Sequence, residues 1–259
     1  MAHHNQWDAI ADLYDEYVRA TLDIPFFLKE ATTTGGKVLE LMCGTGRVSL
    51  PLIEAGVRLT CVDNAPCMLA GLRQKLQERG LAASVIEMDV RELALPGCFD
   101  LIFIPFHSFA ELTAHEDQRR TLLRIRAQLA EGGRFICTMH NPPVRLRNVD
   151  GAVRLWGNFP LSEGRGKLLL WGAETHDADS GVVSGVQLFE IYDPEGVMEA
   201  KRMLELRFRL QGGDDFEALA REAGLEPVAL YGDYAYGAFD AGQSRFMVWV
   251  LQKAAGLNG

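Results

Sequence analysis

Apolar residues in this chain fall into short continuous runs separated by longer stretches at helical spacing. Val38–Leu41 is the first run, followed by Gly44 and Gly46. Val48, Leu50, Leu52 and Ile53 then mark a helix that stops at Gly56. Residues 59–62 form the next strand, closed by Asp63; Asn64 is positioned to cap the following helix, whose first turn carries Pro66. That helix shows an apolar stripe of Met68, Leu69, Leu72 and Leu76 and ends at Gly80. Residues 84–88 read as a third strand, closed by Asp89. Residues 101–106 form a fourth, apolar throughout, as a strand buried on both faces should be. TAHE (113–116) has the form of a capping box ahead of Leu122, Leu123, Ile125 and Leu129, with a stop at Gly132 and Gly133. Residues 135–138 form the fifth strand. The alternation predicts an α/β fold: a Rossmann-like, mainly parallel sheet with helices on both faces.

The pattern changes between residues 144 and 211. Over 198–210 the even positions are mostly apolar and the odd positions mostly polar, the alternation of an antiparallel sheet with one wet face. Turn signals at 177–181 and 193–196 separate two further extended runs. A small antiparallel β insert of at least three strands is predicted for 144–211. Residues 214–223 return to helix, and 228–231 and 246–251 read as closing strands. The main domain is therefore expected over 1–143 and 212–259.

Composition narrows the classes. The chain has 259 residues, 48% of them hydrophobic, and its mean hydropathy is near zero, as for an ordinary globular protein. A formal net charge of −9 argues against a broad electrostatic grip on nucleic acid or an anionic membrane. The five cysteines, Cys43, Cys61, Cys67, Cys98 and Cys137, make no C-x-x-C pair and mostly lie in apolar runs. They predict free thiols in a reducing cytoplasm and no metal site. MAHHNQWDAI (1–10) has neither a basic nor an apolar signal region, so no secretory leader is expected. No run approaches the ~18 uninterrupted apolar residues of a membrane span.

The stretch VLELMCGTGR (38–47) carries the candidate chemistry. A P-loop would need Gly-Lys-Ser/Thr, where this chain has Gly46-Arg47-Val48-Ser49. A dinucleotide site would want a third glycine, and Ser49 stands there. Glu40, at the end of the strand, would oppose a pyrophosphate at the helix N-terminus. It suits a cationic ligand without phosphate, such as S-adenosylmethionine with its sulfonium and ammonium. Gly44 and Gly46 would then let the backbone approach the ligand.

With these residues the chain resembles the class I S-adenosylmethionine-dependent methyltransferases. ELMCGTGR (40–47) is similar to their first motif, which implies cofactor contacts from Glu40, Met42, Cys43, Gly44 and Gly46. CVDNAPCML (61–69) resembles the second. It implies that Asp63 holds the ribose hydroxyls, with Asn64 beside it, and that Met68 packs on adenine. MDV (88–90) resembles the third, putting Asp89 and Val90 at the adenine edge. FDLIFIPFHS (99–108) resembles the fourth, with Pro105 and Phe106 at the mouth of the site. LAEGGRF (129–135) resembles the turn before the fifth strand. WDAIADLYDEY (7–17) is similar to a lid helix whose Tyr14 lies near the methyl group. The insert is similar to that of small-molecule enzymes, including amino-sugar N-methyltransferases, and implies a substrate cover or a dimer interface.

The chain departs from the family pattern in places. Ala65 stands where relatives often have Ser, and His107 where they often have Asn. NPPV (141–144) approaches the Asp/Asn-Pro-Pro-Tyr/Phe signature of base and glutamine methyltransferases, but it follows the fifth strand and reads as coincidence.

The resemblance implies direct displacement of the cofactor methyl by an oxygen or nitrogen of a small-molecule acceptor, leaving S-adenosylhomocysteine. His107 and His140, at the carboxyl ends of the fourth and fifth strands, are the candidate bases, with Tyr14 as their partner in catalysis. Tyr231, Tyr234 and Tyr236 either line the acceptor pocket or cover the sheet edge. His176, beside a hairpin turn, is expected in solvent. The resemblance implies a cytoplasmic monomer or homodimer that engages neither nucleic acid nor membrane. A nicotinamide-dependent oxidoreductase and a non-catalytic binder of the same cofactor remain the alternatives.

Overall fold

The computed structural model describes residues 6–255; the first five residues of the stretch read for a signal lie outside this range. A 3-10 turn over Gln6–Ile10 leads into α1 (Ala11–Tyr17) and then α2 (Ile24–Thr34). The alternating core follows as β1 (Val38–Leu41), α3 (Ser49–Glu54), β2 (Leu59–Asp63), α4 (Pro66–Glu78), β3 (Ser84–Glu87), β4 (Phe99–Ile104), α5 (His115–Gln128) and β5 (Leu129–His140). A short α6 (Pro142–Arg145) precedes β6 (Arg154–Pro160), β7 (Lys167–Asp177), β8 (Val182–Tyr192) and β9 (Met198–Arg209). The chain closes with α7 (Gly213–Glu222), β10 (Leu225–Tyr231) and β11 (Phe246–Lys253).

The main sheet has seven strands in the order β10-β11-β5-β4-β1-β2-β3. β1 pairs in parallel with both β2 and β4, while β11 runs antiparallel between β5 and β10. Strand order reverses at β1 and β4, and ligands of open α/β sheets bind at that switch point. The second sheet is antiparallel, in the order β6-β7-β8-β9, one strand more than the minimum expected.

Both faces of the main sheet are covered. On one, Leu39, Ile102, Phe135 and Trp249 pack against Leu122 and Phe216 of α5 and α7. On the other, Val38, Phe103 and Ile136 pack against Phe26, Phe27, Leu52 and Leu72 of α2, α3 and α4. A third cluster joins Ile10 and Leu13 of the lid to Met68 of α4 and to Leu168, Leu170, Phe189 and Leu204 of the second sheet. Each such buried Leu, Ile or Phe contributes ~1.5–3 kcal/mol. The N-terminal segment is thus wedged between α4 and the second sheet as part of the fold.

Three local expectations fail for identifiable reasons. Asn64 does not cap α4: the cap position is Ala65, and its N–H bonds instead to Asp63 Oδ1 at 2.9 Å. The capping box at 113–116 does not form, because α5 starts one residue later with Ala114 at its cap. Gly132 and Gly133 do not stop α5, which ends at Gln128; they lie inside β5.

Candidate active site

The loop after β1 bends back under the sheet edge. Met42, Gly44 and Gly46 take left-handed φ values of 57°, 56° and 85°. For a methionine that conformation costs ~1–2 kcal/mol, and surrounding bonds hold it. Cys43 N–H donates to the Val62 carbonyl at 3.1 Å, and Gly46 N–H to the Cys43 carbonyl at 3.0 Å. Gly44 N–H donates to Asp63 Oδ2 at 2.8 Å. Asp63 therefore ties the loop after β1 to the start of α4. Burial raises its carboxyl above the usual range, while the N–H groups of Gly44, Ala65 and Asn64 oppose that shift.

Above this clamp lies a cavity of about 440 Å³, whose lining includes Tyr14, Met42, Gly44, Asp63, Asn64, Met68, Phe106, His107 and His140. A second lobe of about 450 Å³ is lined by Met42, Asn64, Met88, Asp89, Val90 and Arg91. Trp7, Met42, Asn64 and Glu111 line both, so the two lobes meet along them. Asp89 accepts from Arg91 N–H at 2.9 Å, and the Arg91 guanidinium beside it holds its carboxyl below the usual range.

Four candidates line neither lobe. Glu40 is 1% exposed, accepts from Ser49 Oγ at 2.6 Å, and is pushed up by burial. It braces the loop from beneath. This also explains Ser49 at the position of a third glycine: its hydroxyl satisfies a buried acid. Cys43 is buried in the core beside Cys61. Pro105 is buried at the end of β4. Gly46 faces α4: a Cβ there would lie 2.3 Å from Leu72 Cδ1. Its glycine serves helix packing, which corrects the expectation of a ligand approach. A Cβ on Gly44, by contrast, would meet nothing within 4 Å.

The chemistry end of the main lobe is built after β4 and β5. Phe106 and His107 both take left-handed φ, 57° and 65°. The His107 ring stacks on His140 with centroids 3.9 Å apart and on Phe246 at 5.2 Å. Nδ1 of His107 is buried with no hydrogen-bond partner. Burial, aided by Arg145, lowers His107 to about 4, despite opposition from Asp23. Burial and the adjacent His107 hold His140 well below its ordinary value. Both imidazoles are neutral at pH 7, and their lowered basicity weakens the candidate-base role expected of them. Tyr14 meets Trp7 and Tyr17 edge-on, at 5.9 and 5.6 Å, and burial keeps its phenol protonated.

Tyr231, Tyr234 and Tyr236 do not reach the cavity. They pack over the sheet near Phe26 and Phe246, and Tyr236 donates to Glu30 at 2.8 Å. His176 is half-buried and lines a separate groove.

Several lining residues escaped the sequence reading. Arg145 of α6 donates to Glu174 of β7 at 2.6 Å, and its guanidinium lies 5.2 Å from the Phe208 ring of β9. Gln187 of β8 has a buried Oε1 without a partner. Glu111, on the turn after β4, accepts from Trp7 Nε1 at 2.9 Å. One signal existed: Glu174 follows Leu168, Leu170 and Gly172 at the inward positions of β7, where an acid is out of pattern.

Residues 38–133 match a family model described as a methyltransferase domain. The cypemycin N-terminal methyltransferase of a Streptomyces species is 31% identical over 222 residues, covering 85% of this chain and 84% of that protein. The glycine/sarcosine N-methyltransferase of Parasynechococcus marenigrum is 27% identical over 233 residues, covering 89% and 76%. The structure of the CcbJ methyltransferase from Streptomyces caelestis superposes with a TM-score of 0.83 at 26% identity, covering 96% and 98%. The chain belongs to the S-adenosylmethionine-dependent methyltransferases. It is an enzyme of small-molecule methyl transfer with S-adenosylmethionine as its cofactor, and the nicotinamide and non-catalytic alternatives give way to that assignment. The site suits such a ligand: Gly44 leaves open space at its Cα, and two acids face it, Asp63 in the main lobe and Glu111 at the seam. No helix among the described residues is long and apolar enough to cross a membrane.

Proposed function

We propose that the enzyme methylates nitrogen, in a reaction of the EC 2.1.1 type, on a small-molecule amine held between the sheet edge and the insert. The observation that carries this reading is the neutral His107–His140 stack that lines the main lobe. When bound, S-adenosylmethionine supplies a methyl group on a cationic sulfur, open to in-line attack. A hydroxyl acceptor needs a base, and an imidazole titrating at about 4 is a weak one. A neutral amine already has its lone pair. The paired imidazoles at the wall of the lobe orient it for in-line attack without removing a proton. The nitrogen-methylating relatives support the same choice. Tyr14, with Trp7 and Tyr17, excludes water from above.

In this reading Asp63 and Asn64 hold the ribose, Met68 packs on the adenosine, and Asp89 and Val90 flank the second lobe. Met42, Gly44 and Phe106 line the main lobe beside them. Glu40, Cys43, Gly46 and Pro105 support the site from behind. Residues 144–211 act as a substrate cover, because Phe159, Leu170, Glu174, Gln187 and Phe208 of that segment line the main lobe. We read the protein as cytoplasmic, a monomer or homodimer, with no nucleic-acid partner.

Incubation with isotopically labelled cofactor and matched pairs of amines and alcohols tests the proposal. Labelled N-methyl product is expected; label found only in ethers would overturn it. Asp63→Ala is expected to weaken S-adenosylhomocysteine by about 1.5–3 kcal/mol, the worth of hydrogen bonds to a charged group. Calorimetry on the folded variant measures this, and unchanged affinity would remove Asp63 from the site.

His107→Ala should lower kcat about ten- to hundredfold, the cost of a misplaced acceptor. At saturating cofactor the wild-type kcat profile should show no inflection near 6.5, because the imidazole is already neutral above about 4. Under that condition kcat should rise only as the acceptor amine loses its own proton. An inflection near 6.5 that disappears in the variant would make His107 a general base.

A further inference from the structure

We propose that Glu111 is the countercharge for the sulfonium of the methyl donor, and that it lets the protein distinguish the cationic donor from its neutral product. The inference rests on the cofactor assignment above. Glu111 ends the 3-10 turn Ser108–Glu111 after β4 and lines both lobes at their seam. Its carboxylate accepts from Trp7 Nε1, and among the described residues no cation forms a salt bridge with it.

Glu111 is half-buried at the cavity wall, and that isolation sets it apart from the buried acids. Asp23 pairs with Arg47, Glu30 with Arg134, Glu16 with Arg165 and Glu174 with Arg145. Asp63 accepts backbone N–H groups, and Glu40 the Ser49 hydroxyl. A half-buried carboxylate at a cavity wall without a counter-cation becomes costly once a ligand displaces the water from it, unless that ligand brings the charge.

The groups around it do not supply that charge. Tyr14 and Tyr17 of α1 are neutral phenols, pushed up by burial. Asp63 at the end of β2 adds negative charge. Asp8, on the same turn as Trp7, accepts from Cys67 N–H. His107 and His140 are neutral at pH 7. Arg91 is paired with Asp89 and Asp117, and Arg209 of β9 donates to the Thr113 carbonyl. Arg207 of β9 lines the main lobe from its exposed rim. Burial raises the Glu111 carboxyl to about 7; the Trp7 bond works against that shift and Asp63 adds to it.

Donor and product share their adenosine, ammonium and carboxylate, and differ at sulfur. A cation beside Glu111 favours its ionised form and lowers its pKa. Donor affinity should therefore rise with pH through about 7, with a proton released on binding near and below that pH. The thioether of the product gives no such gain. The protein then loses its hold on the cofactor when the charge leaves sulfur, which favours product exchange.

Calorimetry at pH 6 and pH 8 tests this with three probes: S-adenosylmethionine, S-adenosylhomocysteine and an analogue bearing a protonated amine in place of the sulfonium. In wild type the donor-to-product affinity ratio should rise roughly five- to tenfold between the two pH values, and the analogue should follow the donor. Glu111→Gln, close in shape and able to keep the Trp7 bond, should flatten the ratio and weaken the donor about tenfold at pH 8. Glu111→Asp, which keeps a carboxylate, should retain the pH dependence. A ratio equal at both pH values in wild type, or a slope that persists in Glu111→Gln, would overturn the proposal. So would a pH dependence found only in the acceptor KM, which would assign Glu111 to the acceptor amine. If wild type bound none of the three probes, the cofactor assignment itself would fail, a result distinct from an unchanging ratio.

Discussion

Gly46→Val is expected to cost about 2–5 kcal/mol of stability, and to lose cofactor as a consequence. Two effects add. At φ 85° a β-branched residue is strained by ~1–2 kcal/mol. Its Cβ would also lie 2.3 Å from Leu72 Cδ1, well inside contact distance. Leu72 is fully buried among Val38, Leu69 and Phe103, so its side chain has little room to turn away. Overpacking of this kind costs ~1–3 kcal/mol. Gly44→Ala separates the two effects. Its φ of 56° imposes strain, but its Cβ meets nothing within 4 Å. It should lose only ~1–2 kcal/mol of stability. Its methyl group would enter the space facing the ligand, so the loss of S-adenosylhomocysteine affinity should exceed that expected from stability alone. Urea unfolding and calorimetry on both variants decide the matter. A Gly46→Val protein as stable as wild type would show that α4 does not press on this loop.

The two glycines show how far a sequence carries. The strand-glycine-helix pattern and the acids at strand ends are local signals, because each β strand and its following turn must solve a local backbone problem. Asp63, Asn64, Met68, Asp89 and Val90 follow directly from that order and line the lobes. Which way a side chain points from a tight loop depends on what packs behind it. Glu40 and Gly46 look alike in sequence as ligand contacts, but Ser49 and Leu72 occupy their directions. The far wall of the main lobe was the least legible part. Arg145, Glu174, Gln187 and Phe208 come from four elements, and only the docking of the second sheet brings them together. Histidine protonation was equally hidden, since desolvation of His107 depends on stacking with a residue 33 positions away.

Asp23→Ala is the second large effect, about 3–5 kcal/mol of lost stability. The expectation comes from Arg47, the residue after Gly46, which ends the opening motif with no role legible in the sequence. Its guanidinium donates to Asp23 Oδ1 and Oδ2, each at 2.6 Å, and to the Ala20 carbonyl at 2.8 Å. It also lies 4.5 Å from the Phe106 ring centroid. The two side chains are 12% and 3% exposed, so the pair is screened from water. Asp23 belongs to the link between α1 and α2. One fork thus joins the lid, the loop after β1 and the mouth of the main lobe. Removing the acid strands a buried cation, which is why the cost exceeds that of a surface ion pair. Arg47→Lys should also destabilise, because an ammonium cannot make two parallel bonds to one carboxylate. The double variant Asp23→Leu with Arg47→Met removes both charges and should recover much of the loss. Cofactor affinity should stay low in the double variant, since the lid would no longer be tied to the loop that holds Gly44. Equilibrium unfolding of the three proteins, followed by calorimetry on those that fold, tests each step. A loss under 1 kcal/mol for Asp23→Ala would mean that water reaches the pair, and that the third cluster alone holds the lid in place.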